Sequence, residues 1–191
     1  MDILRKIFYF FLDIAQTLIL AIVVFFVVYV FIARPYQVSG SSMYPTFKDQ
    51  EYVLTSIISI KLGSLRQGDV VVFEAPNQKN SEFKKDFIKR VIGVAGDTVM
   101  VQNGNVFVNG KQLNESAYLK SNVKTYAGAF LHDGEPVTVP TNSYIVFGDN
   151  RPYSSDSREW GFVTQSEMIG KSVFVYLPVD KMRIVQNPYS N

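Results

Sequence analysis

No cysteine occurs anywhere in this chain of 191 residues. That excludes disulfide frameworks, thiolate nucleophiles and cysteine-based zinc or iron–sulfur sites together. It leaves the redox compartment open, because a chain without thiols can live anywhere. Histidine is almost as scarce, with His132 standing alone. A metal site resting on several histidines is therefore impossible, and a Ser-His-Asp triad would have to use that one residue. Charged side chains make up 19% and the formal net charge is +2. With no dense Lys/Arg stripe, nucleic acid is not an expected partner. The one local cluster is Lys84, Lys85, Lys89 and Arg90. Internal repeats and low-complexity tracts are absent too. A hydrophobic share of 47% rules out a disordered chain, and the length allows one ordinary domain plus an accessory segment.

The accessory segment is at the N-terminus. From Ile14 to Ala33 the only polar side chains are Gln16, Thr17 and Tyr29. A run of roughly 20 residues is what a helix needs to cross a hydrocarbon core about 30 Å thick. Arg5 and Lys6 precede it, Arg34-Pro35 ends it, and Tyr29 and Tyr36 fall where an outer interfacial belt would lie. A cleaved signal peptide would have a shorter apolar region, followed by small residues at the cut. Ala33-Arg34-Pro35 does not provide that. The expectation is a short cytoplasmic stretch at 1–13, a transmembrane helix at 14–33 and an extracytoplasmic body at 34–191. Arg5, Lys6 and the terminal amine place the N-terminus inside.

Beyond residue 34 the pattern becomes strand-like. Val70–Phe73 follows Gly68-Asp69, and two apolar runs, Val99–Gln102 and Val106–Asn109, flank Asn103-Gly104-Asn105. Apolar β-formers around Asn-Gly are the strongest short hairpin signal. Further short strands are predicted at Asp86–Ile92, Pro136–Val139, Tyr144–Phe147 and Ser172–Leu177, and no body segment reads as a long capped amphipathic helix. The predicted fold class is mainly β, an antiparallel body behind a single N-terminal transmembrane helix.

Polar residues with chemical potential gather in three segments. The first is Ser39-Gly40-Ser41-Ser42-Met43-Tyr44-Pro45-Thr46, just past the apolar run. The second runs from Asp86 through Lys89-Arg90 to Gly93 and on to Gly96-Asp97. The third is Gly148-Asp149-Asn150-Arg151-Pro152-Tyr153-Ser154-Ser155-Asp156-Ser157-Arg158, ending at Trp160-Gly161. With Gly68–Phe73 as a fourth block, their order and distance from one anchor resemble the signature blocks of bacterial type I signal peptidases, over nearly the whole chain. The resemblance implies a catalytic domain of the signal-peptidase/LexA-like type that removes N-terminal signal peptides from exported precursor proteins. It implies Ser42 as nucleophile, Lys89 as general base and Ser154 as the hydroxyl that orients the lysine. Asp156 and Arg158 match a structural ion pair, with Asp149 in the same supporting shell. Gly40 stands where the Gram-negative kind has an oxyanion-hole serine. It matches the Gram-positive kind, where backbone N–H groups serve instead.

The residues themselves support the dyad. A serine hydroxyl needs an adjacent base, and without cysteine the candidates are Lys, Asp, Glu and the single His. A lysine is a base only when neutral, which burial in apolar surroundings favours. On a strand, Lys89 shares a face with Phe87 and Val91, while Arg90 faces the other way with Ile88 and Ile92. Taken alone, each block has a plainer reading: a Ser/Gly loop, a solvated strand lysine, a turn with an exposed ion pair of little worth. Their combination overturns those defaults for Ser42 and Lys89. His132 reads as an exposed turn residue. Ser81-Glu-Phe-Lys84 matches S-x-x-K, but its S-D-N and K-T-G partners are missing.

Expected partners are signal-peptide-bearing precursors and membrane lipid, with no metal and no cofactor. Substrate would add as an extended strand, against the segments leading into Ser42 and Lys89. Three other readings remain: a peptidase specialised for surface or pilus precursors, a non-catalytic anchored β-domain that binds exported chains, and a self-cleaving regulator. The last should carry a DNA-binding helix-turn-helix, where this chain has an apolar span.

Overall fold

Apolar side chains predominate from Ile7 to Val27, interrupted mainly by Asp13, Gln16 and Thr17, and they form most of one long helix, α1 (Asp2–Val27). The structure is a computed structural model and describes residues 2–63, 65–76 and 85–190. The stretch Ile3–Val27 is 25 residues long, and its most apolar window has mean hydropathy 2.5, so it is long and apolar enough to cross a membrane. Leu18, Ile22 and Phe25 on it are exposed, as expected of side chains facing lipid rather than a protein core. The helix starts at Asp2, ahead of residue 14. It passes through a five-residue π-helical stretch, Val28–Ile32, straight into a strand at Ala33.

The body is built from short strands. In chain order these are β1 (Ala33–Gln37), β2 (Tyr52–Ser56), the short helix α2 (Ile58–Leu62), β3 (Val70–Glu74), β4 (Asp86–Gly93), β5 (Thr98–Gln102), β6 (Asn105–Val108), β7 (Lys111–Gln112), β8 (Val137–Thr138), β9 (Ser143–Phe147), the short helix α3 (Ser157–Trp160), β10 (Val163–Thr164), β11 (Met168–Leu177) and β12 (Arg183–Ile184). They form a larger sheet in the order β1-β2-β11-β3-β4-β9-β10, with β12 on β11, and a smaller one in the order β7-β6-β5-β8. All pairings between these strands are antiparallel. The mainly antiparallel β architecture and the N-terminal apolar helix are those expected from the sequence. Every strand foreseen there is present within a few residues. β1 and β2 were not foreseen: Arg34-Pro35 reads as a helix stop, yet proline is tolerated on an edge strand, which is what β1 is.

Three apolar clusters hold the sheets together. β9 is buried along its whole length because it lies between two of them. Tyr144 and Val146 pack with Val71, Phe73 and Val91, while Ile145 and Phe147 pack with Ile92, Val99, Val101 and Val106 beneath the smaller sheet. A third cluster joins Val53, Val70 and Val175 to Val38, Met43 and Phe47 from the turn after β1. Ile145 is fully buried at the junction of the sheets, so Ile145→Ala should destabilise by about 2–5 kcal/mol, the usual range for such a truncation. Urea denaturation of the full chain in detergent micelles, followed by tryptophan fluorescence of Trp160, measures it.

Candidate active site

The Gly/Ser segment between β1 and β2 becomes an ordered turn because its two ends are apolar. Met43 and Phe47 drop into the third cluster, and Phe47 N donates to Met43 O at 2.9 Å. Tyr44 N donates to Ser41 O at 3.0 Å. Ser42 is thereby held half-buried at the top of the turn. Gly40 has φ +89°, a left-handed conformation that a side chain would strain, and its N–H donates to Asp49 Oδ1 at 2.7 Å.

Lys89 comes from the middle of β4, 47 residues away, and its Nζ lies 2.8 Å from Ser42 Oγ and 3.0 Å from Ile88 O. The side chain is 4% exposed, and its amine sits 5.1 Å from the centre of the Phe87 ring. Burial lowers its pKa from 10.5 to about 8, against the upward pull of Asp156 and Asp149. Two carboxylates beside an amine would ordinarily keep it charged. Here each is occupied by its own guanidinium. Asp149 accepts from Arg90 Nε at 2.9 Å and Nη2 at 2.7 Å, and Asp156 accepts from Arg158 Nε at 2.8 Å and Nη2 at 2.9 Å. Both pairs are buried, unlike the exposed pair that a turn sequence suggests by default.

The same four charges fasten the third block to the other two. Arg90 follows Lys89 and also donates to Gly68 O, while Thr46 from the Ser42 turn donates to Asp149. Asp156 caps α3 through Arg158 N and accepts from Gly148 N at 3.0 Å. Arg158 reaches back to Arg151 O and Ser154 O, and Arg151 is paired with Glu115. Asn150 touches the Ser42 turn directly, through Ser42 O and Ser41 O. Thr46, Arg90, Asn150, Arg151 and Glu115 join the seven residues named from the sequence. Thr46, Arg90, Asn150 and Arg151 lie within the polar segments singled out there but have no role from the sequence, and Glu115 carries no signal.

Ser154 is brought beside this site, but its Oγ is buried without a hydrogen-bond partner among the described residues. Its neighbour across the gap is Gly148, where a Cβ would collide with Ser154 Oγ and Ser42 O. No other residue fits there without moving both serines. His132 is exposed in the loop between β7 and β8, and Ser81–Lys84 lies outside the described residues.

A cleft of about 250 Å³ opens from the Ser42–Lys89 pair, lined by Tyr36, Val38, Val53, Val72, Phe87 and Ile88 among others. Its two rims are strand edges. Among the described residues β1 pairs only with β2. β4 pairs with β9 from Arg90 onward, leaving Phe87–Lys89 without a strand on that side among the described residues.

Comparison with known proteins gives a consistent picture. The family profile described as signal peptidase, peptidase S26, matches residues 11–177. Signal peptidase IB of Staphylococcus aureus (strain MRSA252) is 40% identical over 179 residues, covering 88% of this chain and 90% of the relative. Signal peptidase I P of Bacillus subtilis subsp. natto is 36% identical over 176 residues, covering 90% and 92%. A solved signal peptidase I from Enterococcus faecalis V583 aligns at 29% identity with a TM-score of 0.45, over 56% of this chain and 96% of that one.

The depressed Lys89 pKa links stability to pH. Above about 8 the folded state has released this proton, while the unfolded chain keeps it up to about 10.5. The unfolded state thus holds more protons across that window, so stability rises with pH through it. Below about 8 the fold bears the full cost of a charged buried amine, about 3 kcal/mol from the 10.5 to 8 difference. Urea denaturation of Ser42→Ala and of Ser42→Ala/Lys89→Met, from pH 7 to 10.5, should show that extra rise only where Lys89 is present.

Proposed function

This chain belongs to the signal peptidase family, peptidase S26, and on that footing we propose that it removes N-terminal signal peptides with Ser42 as nucleophile and Lys89 as general base. As a signal peptidase it is a hydrolase whose substrates are exported precursor proteins. The observation that carries the dyad is a buried amine, its pKa lowered to about 8, lying 2.8 Å from a serine hydroxyl. At pH 7 and a pKa of about 8, about one lysine in ten is neutral, against fewer than one in a thousand for an ordinary lysine.

Chemistry then follows serine acyl transfer. Neutral Lys89 takes the Ser42 proton as Oγ bonds to the scissile carbonyl carbon, and the carbonyl electron pair moves to oxygen. Lys89 returns the proton to the leaving amine as the C–N bond breaks, leaving the signal peptide esterified to Ser42. A water, deprotonated by Lys89, then releases it by the same steps in reverse order. Nothing in this sequence of steps calls for a metal or organic cofactor.

Topology supports strand addition as the way substrate is held. Four successive antiparallel pairings, β1-β2-β11-β3-β4, make β1 and β4 run in the same direction. Their free edges face the cleft. A signal peptide has a positive N-terminus that stays inside, and we read α1 as a single anchor with the same polarity. Precursor and β1 would then leave the membrane in the same sense, so substrate enters parallel to both rims. Small side chains at alternate positions point to the shallow apolar floor. Residues 34–191 form the extracytoplasmic peptidase domain in this reading, with lipid around the anchor.

Ser42→Ala, Lys89→Ala and Lys89→Arg should each abolish cleavage of a precursor with an Ala-x-Ala site while keeping the fold. A guanidinium stays protonated at any usable pH. In the unmodified enzyme kcat/KM should rise with pH on one ionisation near 8 and be unchanged by EDTA. A limb near 6.5 that His132→Ala abolishes would assign the base to histidine instead. The absence of cysteine makes orientation easy to test. An impermeant maleimide added to intact cells should label Lys120→Cys but not Leu4→Cys, and the opposite pattern would invert the topology.

A further inference from the structure

Asn150 has no task in the motif resemblance or in the dyad, yet it touches the turn that carries the nucleophile twice. Its backbone N–H donates to Ser42 O at 2.9 Å and its side-chain Nδ2 donates to Ser41 O at 3.0 Å. Tyr44 N donates to Ser41 O as well, also at 3.0 Å. Two donors converging on one carbonyl fix the plane of the peptide it belongs to. The cis peptides lie elsewhere, at Tyr44-Pro45 and Leu177-Pro178. The Ser41–Ser42 peptide is therefore trans, and its N–H points opposite to its C=O. With Ser41 O turned toward Asn150, Ser42 N–H is turned away from it. Among the described residues it donates to no acceptor.

A free N–H on the nucleophile itself is what acyl transfer by serine needs. As the tetrahedral intermediate forms, the substrate oxygen becomes an anion beside that amide, and a donor already aimed there stabilises it without reorganisation. The amide two residues upstream has another use, since Gly40 N–H is bonded to Asp49. Ser42 N–H thus carries a large share of the work, and its direction matters. We propose that Asn150 is a positioning residue of the oxyanion hole: its grip on Ser41 O and Ser42 O aims Ser42 N–H at the substrate oxygen. This rests on Ser42 being the nucleophile.

The alternative is that Asn150 merely glues two loops together. The loop has other fastenings, because Arg151 pairs with Glu115 and Arg158 holds Arg151 O and Ser154 O. Loss of the Asn150 side chain should therefore spare the fold and misdirect one donor. Outright removal of an oxyanion donor costs about 10²–10³ in kcat, and misdirection should cost about 10- to 100-fold.

The test uses the full chain in detergent, with Asn150→Ala and the isosteric Asn150→Asp, which cannot donate to Ser41 O. Four quantities are read: kcat, KM, the pH limb, and inhibition by a matched pair of Ala-x-Ala peptides. One peptide ends in an aldehyde, whose hemiacetal with Ser42 places an oxygen in the oxyanion position, and the other ends in a carboxamide. Asn150→Ala should lower kcat by about 10- to 100-fold with KM nearly unchanged. It should weaken the aldehyde by a similar factor, leave the carboxamide unaffected and keep the limb near 8. If Asn150→Ala does not fold, Asn150→Asp must show the same selective loss of the aldehyde. Unchanged kcat in a folded variant, equal weakening of both inhibitors, or a displaced limb would each overturn the proposal. Ser42→Ala separates the two ideas. If it still turns over, the dyad reading falls; if it is dead while Asn150→Ala and Asn150→Asp keep full kcat, only the role of Asn150 falls.

Discussion

Making one buried amine easy to deprotonate, 2.8 Å from a serine, is the constraint on which the rest of the arrangement depends. Burial lowers the Lys89 pKa, but burial beside two carboxylates would ordinarily be self-defeating. Asp149 and Asp156 both pull it upward. The fold limits that pull by giving each carboxylate a bidentate arginine of its own. What reaches Lys89 is closer to the field of two ion pairs than to that of two anions. The low effective charge and the burial of the amine then act together.

Those arginine pairs also determine where the segments lie. Buried ion pairs are poor sources of stability, because desolvation consumes most of their attraction. Their value here is geometric. Arg90 is attached to the strand of Lys89, Asp149 to the loop of Ser154, and Thr46 to the turn of Ser42. One buried cluster sets the register among three segments that are far apart in sequence. Breaking it by removing a single partner would leave a bare charge in the core, a cost of about 3–5 kcal/mol. The pairs are therefore hard to lose one at a time.

Much of the larger architecture was readable in the sequence because it follows local rules. The Asn103-Gly104 turn, the alternation around it and the apolar run at the N-terminus each announce an element by pattern alone. β1 escaped because Ala33-Arg34-Pro35 lacks alternation and looks like a stop signal. Its strand character is imposed by pairing with β2. Lys89 and Ser42 could be named because the blocks around them resemble those of a known family; the lack of cysteine alone left several bases open. The partner of Asp149 could not, since 59 residues separate it from Arg90 and any of several cations could have served. Asn150 was invisible for a different reason. Its acceptors are main-chain carbonyls, which every residue possesses and no sequence marks.

The direct passage from α1 through Val28–Ile32 into β1 removes any slack between anchor and body. Between Ala33 and Gln37 the chain is a strand locked residue by residue to β2, about 17 Å long at 3.4 Å per residue. With α1 as the proposed anchor and Ser42 as the proposed nucleophile, the height of Ser42 above the membrane surface would be a fixed dimension. A precursor held in the same bilayer would then be cut where an extended segment of matching length brings the scissile bond level with Ser42. Choice of cleavage site would be partly a matter of length, measured from where the apolar segment ends, and only partly a matter of which side chains fill the cleft.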